Sequence, residues 1–255
     1  MSWGPREVAR ALDLPPGYTL VSLRERGDAF KHGLEIAATA GAGTLVWVGR
    51  YDLVEFAVVL EPDEPLATAR RAFFAGMNAM ADAIAAHAPP EREVSFVWPD
   101  TVQFDRQLLG GARLGWPQGC AEDEVPAWLV FGVMLRAADM ARLEAAMLSG
   151  DMSLTSTGFE LVETEAMVGS FARHLMTGFD QWNESGFGPV AANYLARLSK
   201  GEFSGARGID RNGDLLTRVE GSASPVRTSL LEGLSRCAWY DPGRGGPGSA
   251  ATKPC

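Results

Sequence analysis

The stretch from Val94 to Pro117 constrains the fold more than any other part of this chain. Val94-Ser95-Phe96-Val97-Trp98-Pro99-Asp100-Thr101-Val102-Gln103-Phe104 and Leu108-Leu109-Gly110-Gly111-Ala112-Arg113-Leu114-Gly115-Trp116-Pro117 are rich in β-formers. They flank the polar segment Asp105-Arg106-Gln107, which predicts a hairpin with that segment as its loop. Trp98-Pro99-Asp100 interrupts the first run and Gly110-Gly111 the second. Proline removes a ladder donor and glycine offers no side chain to pack, so these interruptions mark a place of close backbone approach.

The chain has 255 residues, 46% hydrophobic and 22% charged, enough for one sizeable core and a small appended domain. No apolar run approaches the roughly 20 residues of a membrane span, and the first residues carry no signal-peptide core. A cytoplasmic protein without a membrane partner is expected. Cys120, Cys237 and Cys255 form neither a CxxC pair nor a disulfide framework, so a reducing compartment and no metal centre are expected. A net charge of −9 argues against nucleic acid as a partner, because phosphate contacts need a basic face. Lys31, Lys200 and Lys253 are the only lysines among 23 basic residues.

In chain order, Tyr18–Leu23 reads as a strand, and Asp28 as the N-cap of a helix to about Thr39, stopped by Ala40-Gly41-Ala42-Gly43. Thr44–Val48 and Glu55–Glu61 read as strands joined through Gly49-Arg50-Tyr51-Asp52. Pro65 opens a helix over about Leu66–His87, with Arg70, Arg71 and Asp82 outward. Trp128–Arg136 is apolar almost throughout, as a strand buried on both faces must be. From Gly158 the pattern is helical, with a second helix after Gly186-Phe187-Gly188-Pro189. Gly205–Asp210 and Leu215–Val219 flank the hairpin signal Asn212-Gly213, and the Gly/Pro/Ser tail beyond Pro242 reads as disordered.

This order of elements, with its motifs, resembles the biotin/lipoate A/B protein ligase family down to about Tyr240. Val97-Trp98-Pro99-Asp100-Thr101-Val102 is similar to the family's Lys-Trp-Pro-Asn-Asp-aliphatic strand, and Leu108-Leu109-Gly110-Gly111 to its Lys-aliphatic-small-Gly return strand. Pro126–Arg136 is similar to the strand ending Gly-Ile-Gly-Ile-Asn, and Gln181-Trp182 through Gly186-Phe187 to the Trp-x-x-x-Gly-Phe turn. Gly205–Asp210 with its Asn-Gly turn resembles the SH3-like module of biotin ligases. The resemblance implies an α+β fold of the class II synthetase and biotin-lipoate ligase type, a mixed sheet covered by helices with a small C-terminal SH3-like β-barrel. It implies a ligase-like domain over 1–198, with 158–198 a helical connector, an SH3-like domain over 199–241 and a disordered tail over 242–255.

The resemblance implies ATP with Mg as cofactor and a small acid, such as biotin, lipoate or octanoate, as substrate. The acid is joined to ATP as an acyl-adenylate and passed to a lysine of a carrier domain. Both steps build charge on phosphate and carbonyl oxygens, so fixed cations and backbone N–H groups aimed at them supply most of the catalysis. The departures fall on those groups. Leu108 stands for the catalytic lysine, Val97 for the lysine before Trp-Pro, Asp100 for an asparagine, Arg136 for the buried strand's asparagine, and the Gly-Arg-rich loop shrinks to Gly49-Arg50. Losing a principal electrostatic contact costs roughly 3 to 4 kcal/mol of transition-state stabilisation.

The residues aligned to the site are Arg50, Arg113 and Asp100 as catalytic groups and Gly49, Trp98, Pro99, Leu108, Gly110, Gly111, Gly132 and Arg136 as ligand-binding ones, with no metal ligand. Each also has a plain structural use: Trp98-Pro99 in packing the sheet end, Gly110-Gly111 in a bulge, Arg50 and Arg113 in ion pairs, Asp100 at a turn. A nucleophilic Cys120 is disfavoured, since Glu122-Asp123-Glu124 beside it raises its pKa and no histidine is placed to activate it. Two functions remain: an acyl-adenylating ligase with arginines in the lysine's place, or a noncatalytic relative that binds an acyl or biotinyl ligand or a partner and has no cofactor.

Overall fold

The computed structural model describes residues 12–25, 27–50, 52–88, 90–137, 161–199, 205–219, 221 and 224–248. The expected helical onset at Gly158, Lys200 and Cys255 lie outside them. Seven strands form one mixed sheet: β1 (Thr19–Leu23), β2 (Thr44–Val48), β3 (Leu53–Leu60), β4 (Val94–Val97), β5 (Thr101–Phe104), β6 (Gln107–Gly115) and β7 (Leu129–Arg136). They are ordered β1-β2-β3-β7-β6-β5-β4, with β1 and β2 parallel and the other neighbours antiparallel.

Period-two alternation divides the central strands between two cores. Val54, Phe56 and Val58 of β3 and Phe131, Val133 and Leu135 of β7 enter the larger core. Ala57, Val59 and Val130 face the other way, under helix α1 (Ala29–Ala40). Asp28 caps α1, its Oδ1 accepting from Lys31 N at 2.9 Å. The larger core is closed by α2 (Leu66–Ala69), α3 (Ala72–His87), α4 (Leu161–Ser185) and α5 (Gly188–Arg197). No described helix is long and apolar enough to cross a membrane.

The helix expected over Leu66–His87 is divided after Ala69. Phe73 N and Phe74 N bond Arg70 O and Arg71 O, three residues back, and this tighter pitch breaks the α ladder. Arg70 is buried rather than outward, stacked 5.5 Å over Trp116 and paired with Glu122. The expected Val94–Phe104 strand is two strands, because Trp98-Pro99-Asp100 is the turn between β4 and β5. Its Trp98–Pro99 peptide is cis.

Beyond α5, β8 (Ala206–Ile209), β9 (Leu215–Arg218) and β10 (Val226–Thr228) form an open antiparallel sheet, followed by α6 (Leu230–Arg236), β11 (Tyr240–Asp241) and β12 (Gly246–Pro247). Asp210 organises the predicted turn, its Oδ1 accepting from Asn212 N and Asp214 N at 2.9 Å each. Among the described residues these sheets form no closed barrel, in place of the SH3-like barrel expected. The tail also departs from the expected disorder as far as Gly248: β11 pairs with β12, and Gly246, Pro247 and Gly248 are buried. Composition pointed to disorder because the tail has little to bury; Trp239 and Tyr240, just before it, supply the anchor.

Candidate functional site

Directly opposed residues in a ladder share a face. Gly111 of β6 opposes Met134 of β7, which opposes Glu55 of β3, and Arg113, Gly132 and Ala57 form the neighbouring row. Gly111, Gly132, Arg113 and Glu55 therefore share the sheet face that α1 covers in part. Arg50 reaches the same place from the end of β2. Gly49 sits beside the Trp47 ring, which would lie 3.2 Å from an added Cβ.

The charges here form a closed set. Arg50 makes a two-pronged contact with Asp52, at 2.9 and 2.7 Å, and its Nη1 is 3.7 Å from Glu55 Oε2. Glu55, 2% exposed, accepts from Ala29 N through Oε1 at 2.9 Å, while Oε2 accepts no hydrogen bond. Burial raises the Glu55 pKa, and the Asp28 charge adds to this against the Ala29 amide, Arg50 and Arg113. Arg113 stacks between Phe30, at 4.6 Å, and Tyr240, at 4.9 Å, with Asp28 3.6 Å away. Both arginines assigned to catalysis from sequence thus have carboxylate or aromatic partners. Asp28 and Glu55 were the members missed, although a lone acid in the apolar run Leu53–Leu60 was a visible signal.

The space over Gly111 is filled by the chain itself. Cys237 ends α6 with φ 42°, turning the backbone so that Trp239 lies against Gly111. A Cβ at Gly111 would be 2.5 Å from the indole and 2.4 Å from Asp100 O, so any larger residue collides there. Trp239, 1% exposed, donates from Nε1 to Ala112 O at 3.3 Å and packs with Leu53, Met134, Leu108 and Tyr240. Arg136 holds the tail over this cluster, donating to Pro247 O at 3.1 Å, to Gly248 O and to Leu108 O at 3.4 Å. Trp239 carried no sequence signal, because its contact joins residues 127 apart.

The other predicted residues divide between the two faces. Gly110 opposes Leu135, in the register of the larger core, beside a bulge. Trp98 joins Phe74 and Tyr194, ring centroids 5.8 and 6.0 Å away, and Pro99 O accepts from Tyr194 OH at 2.7 Å. Burial holds the Tyr194 hydroxyl well above the usual tyrosine range. Removing that hydroxyl strands a buried carbonyl, so Tyr194→Phe is expected to cost about 1.5 kcal/mol in a urea titration. Asp100 is 2% exposed; Oδ1 accepts from Thr101 Oγ1 at 3.3 Å and Oδ2 has no partner. Burial pushes its pKa up to about 7, against weaker opposing help from the Thr101 hydroxyl, its own backbone and the Trp239 indole. Burial and the Glu124 and Glu122 charges raise the Cys120 thiol, in line with its exclusion as a nucleophile.

The family model described as the biotin/lipoate A/B protein ligase family matches residues 14–196. The chain belongs to that family. No curated protein matches it. Among solved structures, it is similar to a biotin protein ligase-like protein of unknown function from Silicibacter sp. TM1040, at TM-score 0.73 and 22% identity over 88% of this chain and 99% of that one. It is also similar to biotin protein ligase from Aquifex aeolicus in complex with biotin and ATP, at TM-score 0.59 and 13% identity over 82% of this chain and 95% of that one. At these identities the likeness is one of fold, the mixed sheet with its helices.

Within the family, this chain's aligned positions do not fit an acyl-adenylate. Leu108 itself offers no cation in the lysine's place, the aligned arginines have internal partners, and Trp239 with residues 246–248 covers the face the group would need.

Proposed function

We propose that this chain is a noncatalytic member of the biotin/lipoate ligase family, a binding protein whose inherited acyl position is filled by its own C-terminal segment. The observation that carries this reading is the Trp239 indole packed on Gly111 beside Leu108. Adenylation needs a compact cation between a carboxylate and a phosphate, and an arginine already stacked or paired elsewhere does not replace it. The Aquifex aeolicus relative was solved with biotin and ATP, so biotin, lipoate and octanoate are the acids to test, with a biotinyl or lipoyl carrier domain as acceptor.

The experiment is incubation of the full chain with α-labelled ATP, magnesium and each acid, followed by separation of the adenylate and by acceptor labelling. Wild type and Leu108→Lys are both expected to stay at background, because the lysine alone does not uncover the site. Adenylate or labelled acceptor above background from wild type would establish the ligase reading instead.

A further inference from the structure

Beside the covered position lies a groove of about 940 Å3, bounded by the β4–β5 face on one side and by β10 and α6 on the other. That volume is in the range of small-molecule sites. Ser95, Val97, Thr101 and Gln103 line its sheet side. This is the solvent register of β4 and β5, since Phe96, Val102 and Phe104 point into the core.

Two unmade hydrogen bonds lie at its inner end. Trp98 Nε1 is a buried donor and Asp100 Oδ2 a buried acceptor, both without partners, two residues apart on one turn. α6 closes over them at Gly233, where an added Cβ would be 2.7 Å from Pro99 Cδ and 3.5 Å from Trp98 Nε1. Buried groups left unpaired cost stability, so a ligand that enters under α6 and pairs both recovers it. A neighbouring acceptor and donor on the ligand are the carbonyl and N–H of an amide.

The rim is rich in arginine. Arg197 is committed to Asp82, 2.5 Å away, and Arg207 to the carbonyls of Leu198 and Ser199, both at 3.0 Å. Arg236 is mostly exposed, with Glu232 at 3.6 Å. Arg106 has no ion-pair partner among the described residues, and it stands at φ 65° after Asp105 at φ 49°. Tight hairpin turns with two positive φ values favour Asn-Gly, and a long side chain held there against the backbone preference points to a use for it.

We propose that this groove binds a small N-acylated amino acid, its amide C=O accepting from Trp98 Nε1–H, its amide N–H donating to Asp100 Oδ2, and its carboxylate meeting Arg106 and Arg236. The site adjoins the position under Trp239, whose indole borders the Asp100 carboxyl, but its test uses no ATP and so does not depend on whether the chain adenylates.

The test is titration of the 15N-labelled full chain with N-acetylglycylglycine, following the Trp98 indole resonance, identified by its loss in Trp98→Phe. That resonance is expected to shift with about millimolar affinity, the range for a ligand of this size. The C-terminal amide of the compound, which lacks the carboxylate, and acetate, which lacks the amide, should each bind about tenfold more weakly. Arg236→Gln should weaken binding several-fold. Arg106→Gly should weaken it likewise while raising Tm by about 2 °C, because the turn strain is relieved. An unmoved Trp98 resonance at about twenty times the expected Kd would overturn the proposal, as would unchanged affinity in both arginine variants. Tighter binding of a longer peptide ending in the same two residues would overturn the small-ligand assignment in favour of a protein terminus.

Discussion

Replacing Trp239 with alanine is expected to lower the unfolding free energy by about 4 kcal/mol, the usual cost of deleting a fully buried large aromatic side chain. The ring is 1% exposed, rests on Gly111, and joins Leu53, Met134 and Tyr240 in a small core of their own. Because Gly111 has no side chain and the sheet beneath is rigid, little can collapse into the space. A globular domain has roughly 5 to 15 kcal/mol of stability in total, so the loss should appear plainly as a reduced urea midpoint. The tail should loosen with it, since Gly248 N bonds Trp239 O at 2.7 Å and Tyr240 opposes Pro247. Hydrogen exchange over residues 239–248 reads that directly. If the covered face keeps the family's affinity for acyl chains, saturating octanoate, lipoate or biotin raises the Tm of the variant and leaves wild type unchanged. A midpoint equal to wild type would mean that Trp239 is not packed there, and with it the self-occupied site would be lost.

Asp100→Asn is expected to stabilise the protein at about pH 8 by as much as about 4 kcal/mol, equivalent to roughly 10 °C in Tm. The sign follows from the direction of the shift. Asp100 titrates at about 7 in the folded chain against an ordinary 3.8, so the folded state holds this proton more tightly than the unfolded state. The stability this proton contributes is complete below 3.8 and is lost as pH rises through about 7. Asparagine keeps the shape of the protonated acid and never ionises. The difference between wild type and variant should therefore be small in acid and grow through that window. Glu55 is raised by burial as well and contributes with the same sign, but it is common to both proteins and drops out of the difference. Equal stability of the two proteins in alkaline buffer would show that Asp100 is hydrated rather than buried.

Much of this architecture is legible from local pattern. Asp28 caps α1 as its side chain and position predict, and the apolar run ending at Arg136 is the strand buried on both faces. Trp98-Pro99 and Gly110-Gly111 mark a turn and a bulge for the reason read from them, a missing donor and a missing side chain. The family itself is recognisable from the order of these motifs. Where local reasoning failed, a distant partner decided the outcome. Arg70 turned inward because Trp116 and Glu122, far along the chain, receive it. Residues 246–248 are ordered because Arg136 binds their carbonyls.

What the sequence by itself determined is the family, the element order and the absence of a lysine from the hairpin around Gly110-Gly111, since each depends on residue type and near neighbours. The tertiary structure alone decided what became of the face that hairpin presents. Arg50 and Arg113 were matched to internal partners, Trp239 was laid on Gly111, and the open groove was moved to the β4–β5 edge. Apart from the Arg50 pairs with Asp52 and Glu55, which are local, those outcomes join segments far apart in the chain, by more than a hundred residues for the contacts of Trp239 and Arg136, which no local pattern encodes.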